Sequence, residues 1–160
     1  MSSSRVEASG TVPAPAAKVF AIVSSPAGHV AIDGSGMLEA PIDGNQPTAV
    51  GDTFDMDMDR ESLGDIPEMG KYKVRNTVTQ IVPGRLFEWN VGGIDRGPFG
   101  HVYGWAIEPI DDNSCSVTNY CDWTDVPEKY REAREWPVVP LSMLQQSVDN
   151  LRKVLTESAG

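Results

Sequence analysis

The chain of 160 residues is the size of one domain, long enough to bury a core and short for two. Its 23 acidic residues against 13 basic give a net charge of −10, a field that repels phosphate backbones and anionic headgroups. Nucleic acid and stable membrane insertion are therefore not expected, and with no apolar signal core in MSSSRVEASG the expected location is the cytoplasm.

Residues 5–12, RVEASGTV, alternate weakly and end at Pro13, which suits a first strand. From Pro15 the period changes: Val19, Phe20, Ile22 and Val23 mark a short helix broken at Ser25-Pro26, and AGHVAID follows as a second helix or turn. The middle reads as strands: MLEAPI, GDTFDMDMDR, GKYKVRNTVTQIV, RLFEWNV, HVYGWAIEPI and SCSVTNYCDWT. Pro83-Gly84 and Asp111-Asp112-Asn113 predict tight hairpins, and 61–70 and 92–100 predict longer loops.

Asp125 followed by Glu128 reads as a capping box for a short helix that Pro137 ends. After Pro140, an apolar stripe of Leu141, Leu144, Val148, Leu151 and Leu155 predicts one long helix. One strand, a helical pair, six further strands and a long helix imply a single curved antiparallel sheet whose apolar face that helix covers, in one unit over 1–160. Cys115 and Cys121 fall in one predicted strand, about 20 Å apart along it, too far for a disulfide. Both are expected as free thiols.

Several chemical motifs fail on spacing. Asp55-x-Asp57-x-Asp59 opens like a calcium loop, but Arg60 and Ile66 stand where a glycine and a bidentate glutamate are needed. On a strand those carboxylates form one solvated edge, facing Lys71, Lys73 or Arg75 on the next strand. GDIPEMGKY has the wrong spacer and no following helix for a phosphate loop, and two histidines with C-x₅-C make no zinc site. No metal or other cofactor is expected.

The segments VEASGTVPAPAAKVFAIVSSP, GWAIEPIDDNSCSVTNYCDW and WPVVPLSMLQQSVDNLRKVL together resemble the START-like (SRPBCC) superfamily, specifically its polyketide cyclase/dehydrase and lipid-transport family. The resemblance implies an α+β helix-grip fold, a curved seven-stranded antiparallel sheet around a long C-terminal helix with two short helices after strand 1. It also implies a cavity between sheet and helix. Strand parity assigns its lining: Phe54, Met56, Met58, Tyr72, Val74, Asn76, Phe87, Trp89, His101, Tyr103, Trp105, Asn119, Cys121 and Trp123, with Leu144, Val148 and Leu151 from the helix. Aromatic walls with a few polar points describe a small-molecule site. Two buried amides, Asn76 and Asn119, need water, a ligand or each other.

Three functions fit. The first is binding or transport of a hydrophobic small molecule, lipid-like or aromatic. In the second, a cyclase, aromatase or dehydratase acts on a polyketide-like substrate through His101, with Tyr72, Tyr103, Asn76 and Asn119 polarising a carbonyl. The third is a protein-interaction module on the acidic outer face. A homodimer is compatible with each.

Overall fold

The computed structural model describes residues 4–34, 38–41, 46–59, 71–93, 97–133 and 139–159. The elements run β1 (Arg5–Val12), α1 (Ala16–Val23), α2 (Pro26–Ile32), β2 (Leu38–Pro41), β3 (Thr53–Asp59), β4 (Lys71–Val82), β5 (Leu86–Gly93), β6 (Gly97–Asp111), β7 (Ser114–Asp122), α3 (Glu128–Ala133) and α4 (Leu141–Ala159). Among the described residues seven strands form one sheet, ordered β1-β7-β6-β5-β4-β3-β2, with every neighbouring pair antiparallel. This is the expected α+β helix-grip architecture.

The loop expected over 92–100 is shorter than its glycines suggest. Gly92 pairs with Pro98 and Gly93 with Gly97, so β5 and β6 extend into it. Pro98 is tolerated there because β7 stops opposite Val102, leaving β6 a single neighbour and no second ladder to supply. The expected loop 61–70 and the helix end at Pro137 lie outside the described residues. The α3 helix begins at Glu128, so Asp125 is not its N-cap and the expected capping box does not form. Asp122 Oδ1 instead accepts from the Thr124 N–H at 2.9 Å as the chain leaves β7.

Apolar i, i+4 spacing puts Val19 and Val23 of α1 in the core, and a Ser25 cap with Pro26 in the first turn starts α2 at once. Helix α4 packs on β1, β7 and α2 through Leu144, Val148, Leu151 and Leu155, all at most 3% exposed. Its position is pinned by polar bonds at three points. Arg152 Nε donates to the Thr11 carbonyl (2.9 Å), Gly34 N donates to Ser147 Oγ (2.8 Å), and Asn150 Nδ2 donates to the Ile32 carbonyl (3.3 Å).

On the outer face the aspartates of β3 lie directly opposite basic residues of β4. Asp55 takes a bidentate pair from Arg75 at 2.9 Å, and Asp57 meets Lys73 Nζ at 2.5 Å. Asp59 is in register with Lys71, and its side chain lies outside the described residues. The cross-strand reading of the three aspartates therefore holds for the two whose side chains are described, and each of those two charges is matched.

Candidate functional site

Parity sorts the strand residues as expected, and exposure then divides the inner face in two. Phe54, Val78, Phe87, Trp105 and Ile107 are no more than 4% exposed. At the end where β3 leads to β4 and β5 leads to β6, Met58, Tyr72, Val91 and Tyr103 are only half-buried although they pack against the core. Among the described residues, helix α4 packs chiefly over the β1–β7 flank. Met56, Val74, Trp89, Cys121 and Trp123 are buried.

Of the residues expected to line the cavity, Phe54, Phe87, Trp105 and Asn119 are at most 4% exposed, and Val148 and Leu151 are fully buried on α4, which packs against β1 and β7. Asn119 Nδ2 donates to the Gly104 carbonyl at 2.9 Å, a brace between β7 and β6. Asn76, 4% exposed, sits between Val74 and Val78 on its own strand, with Phe54 and Val91 opposite. Its Oδ1 has no hydrogen-bond partner.

His101 stands on an irregularity that the alternating pattern does not show. Between the pairs Asn90–Val102 and Gly92–Pro98 the register slips, so β6 carries two extra residues. Gly100 takes φ +112, and a Cβ there would stand 2.9 Å from the Asp125 carbonyl and Val126 Cα, so only glycine fits beneath the chain leaving β7. The bulge delivers His101, 5% exposed, edge-on to Tyr103 at 5.5 Å and stacked with Phe99 at 6.3 Å. Tyr103 in turn stacks with Trp89 at 6.1 Å. Tyr72 is on β4, two positions beyond Val74, where the ladder to β5 ends opposite Gly93. Burial pushes the Cys121 thiol up to about 12, so it serves as a small apolar wall.

Two features escaped the sequence reading. The first is His29 of α2, which contacts Phe54 (5.4 Å), Phe87 (5.7 Å) and Trp89 (4.6 Å) and plugs the closed end. Its Nε2 bonds the Val23 carbonyl at 2.5 Å, which makes it the neutral Nε2–H tautomer. Burial lowers its pKa to about 4. The stripe Pro26, His29, Ile32 at intervals of three was its available signal.

The second is on the outer face. Tyr120 crosses Gly104 to place its hydroxyl 2.5 Å from Glu88 Oε2, and Thr79 donates to Oε1 at 2.8 Å. A Cβ on Gly104 would fall 2.2 Å from the Tyr120 ring. Arg5 covers that ring with its guanidinium carbon 4.0 Å from the centroid, a cation–π lid.

An antiparallel sheet with a helical pair packed on it and a long helix along its β1–β7 flank defines a helix-grip fold. The chain belongs to the polyketide cyclase/dehydrase and lipid transport family, whose model matches residues 3–156. It is 34% identical over 119 residues to the uncharacterized protein Rv0088 of Mycobacterium tuberculosis, covering 74% of this chain and 47% of that one. The chain thus spans about half the length of the curated relatives it matches.

Among solved structures, protein Ms6760 of Mycobacterium smegmatis aligns with a TM-score of 0.68 at 12% identity, over 98% of this chain and 93% of that one. Norcoclaurine synthase of Thalictrum flavum, in complex with dopamine and hydroxybenzaldehyde, aligns with a TM-score of 0.62 at 17% identity, over 96% and 86%. At such identities these two likenesses speak for the fold. No helix among the described residues is long and apolar enough to cross a membrane.

Proposed function

We propose that the chain binds a hydrophobic small molecule, aromatic or lipid-like, on the inner sheet face at its open end. The observation that carries this is a contrast in exposure: Met58, Tyr72, Val91 and Tyr103 remain half-buried, while Phe54, Phe87 and Trp105 on the same face are at most 3% exposed. Apolar area left open to water costs about 25 cal/mol per Å², so a half-buried group of Met58, Tyr72, Val91 and Tyr103 favours an apolar guest. Family membership supports the same reading. The two buried free thiols and the acidic charge suit a cytoplasmic carrier. Native mass spectrometry of the protein purified from its own host should show an added mass that organic extraction removes. Protein that is repeatedly free of ligand and takes up none of a panel of apolar compounds would count against the proposal.

A second reading, cyclase, aromatase or dehydratase chemistry, is favoured by the β6 bulge that aims His101 into this region beside Tyr103. Here His101 would move a proton next to a carbonyl of a polyketide-like substrate while the Tyr103 hydroxyl polarises that carbonyl. His101→Ala separates the readings. Enzyme chemistry requires conversion of the co-purified compound to fall at least 100-fold with binding retained, while a carrier shows no conversion to lose.

A further inference from the structure

We infer that the ligand carries a neutral hydroxyl, phenolic or alcoholic, which donates a hydrogen bond to Asn76 Oδ1; this rests on the proposed binding at the open end. Asn76 is 96% withdrawn from solvent by its 4% exposure, and the Oδ1 atom has no partner. The other inward amide does not supply one, since Asn119 is committed to the Gly104 carbonyl. Around Asn76 stand Val74, Val78, Phe54 and Val91, none of which offers a side-chain donor. A desolvated acceptor among apolar groups is retained against its own cost when something else completes it.

Charge and distance narrow what that something is. An anion would enter a protein of net charge −10 and gain no cation among these neighbours, and an ammonium would have to shed its hydration in an apolar wall. A neutral O–H meets the acceptor without either penalty. From Asn76 on β4 to the stacked Tyr103 on β6 is two interstrand spacings, roughly 10 Å. A fused or extended aromatic ring spans that distance, with its hydroxyl at Asn76 and its far edge against Trp89 and Tyr103.

The experiment is equilibrium dialysis of the full chain against 2-naphthol and 2-methoxynaphthalene, which share a ring system and differ in the donor. The wild type should bind 2-naphthol about tenfold or more tightly, the size of one hydrogen bond to a buried acceptor. In Asn76→Leu that ratio should fall to about twofold or less while 2-methoxynaphthalene binds as well or better, and the ligand-free variant should melt at a higher temperature. Equal wild-type affinity for both compounds overturns the inference and leaves the binding proposal standing. So does a preference that survives in Asn76→Leu, which would locate the acceptor elsewhere. If neither compound binds the wild type, it is the binding proposal that falls. Should the leucine variant not fold, the wild-type ratio decides alone.

Discussion

Burial of His29 among Phe54, Phe87 and Trp89 makes one imidazole a pH sensor for the stability of the closed end. In the unfolded chain it titrates near 6.5 and in the fold near 4, chiefly because burial disfavours the cation. Its contribution is therefore fully present above pH 6.5, is lost progressively as pH falls toward 4, and changes no further below that. The total is about 3 kcal/mol, and urea midpoints measured across this window should show it. His29→Gln should flatten the dependence, and an unchanged slope in that variant would assign it to carboxylates instead. The Tyr120 hydroxyl argues at the same scale. Tyr120→Phe leaves Glu88 Oε2 without its short partner under a buried ring, and the expected cost is about 1–3 kcal/mol with ligand binding untouched, since the pair is on the outer face. Glu88→Gln keeps an acceptor there and should recover part of that loss.

Strands and helices carry the argument next. Asp55 and Asp57 lie on the side of β3 facing away from the proposed ligand, in surface ion pairs with Arg75 and Lys73, and Asp59 follows them at the same parity. Replacing all three by serine should cost no more than about 1 kcal/mol per pair and leave affinity for an apolar ligand within twofold; a larger change in affinity would mean that β3 is read from the wrong side. In α4, Leu151→Ala removes a fully buried side chain from the α4 interface and should cost about 2–5 kcal/mol in denaturant unfolding. The period of two that assigns these faces needs no tertiary information, which is why Phe54, Met56 and Met58 could be separated from the aspartates in the sequence alone. Bulges interrupt that logic without a marker. Thr79 and Gln80 both stand against Glu88, so Ile81 turns inward and Val82 is 48% exposed, the reverse of simple alternation. The bulge at Gly100 was hidden in the same way, its glycine reading as loop while the register holds it in β6. Asn76 and Asn119 looked equivalent for a related reason: parity gives the face, and only register shows which amide finds a carbonyl.

At the scale of the whole molecule, the two ends of the sheet have opposite tasks. One end is plugged by α1, α2 and His29 and holds the most deeply buried aromatics; the other keeps side chains of the same kind half in water. A folded domain has only about 5–15 kcal/mol of net stability, and a core that closed over Met58, Tyr72, Val91 and Tyr103 would have gained some more. Forgoing that gain is consistent with selection for an occupant at the open end, and it predicts that stability and binding can be traded there by a single side chain. Val91 projects from β5 between Trp89 and the β6 bulge, so an indole at this position would fill the space a guest needs while burying apolar area of its own. Val91→Trp should weaken binding of the neutral fluorescent probe N-phenyl-1-naphthylamine at least tenfold, with a melting temperature equal to or above that of the wild type. The same enlargement at the fully buried Val78, Val78→Trp, should instead lower the melting temperature, because a side chain that is 1% exposed has no room beside it. If the probe binds Val91→Trp as it binds the wild type, the guest does not occupy this end of the sheet.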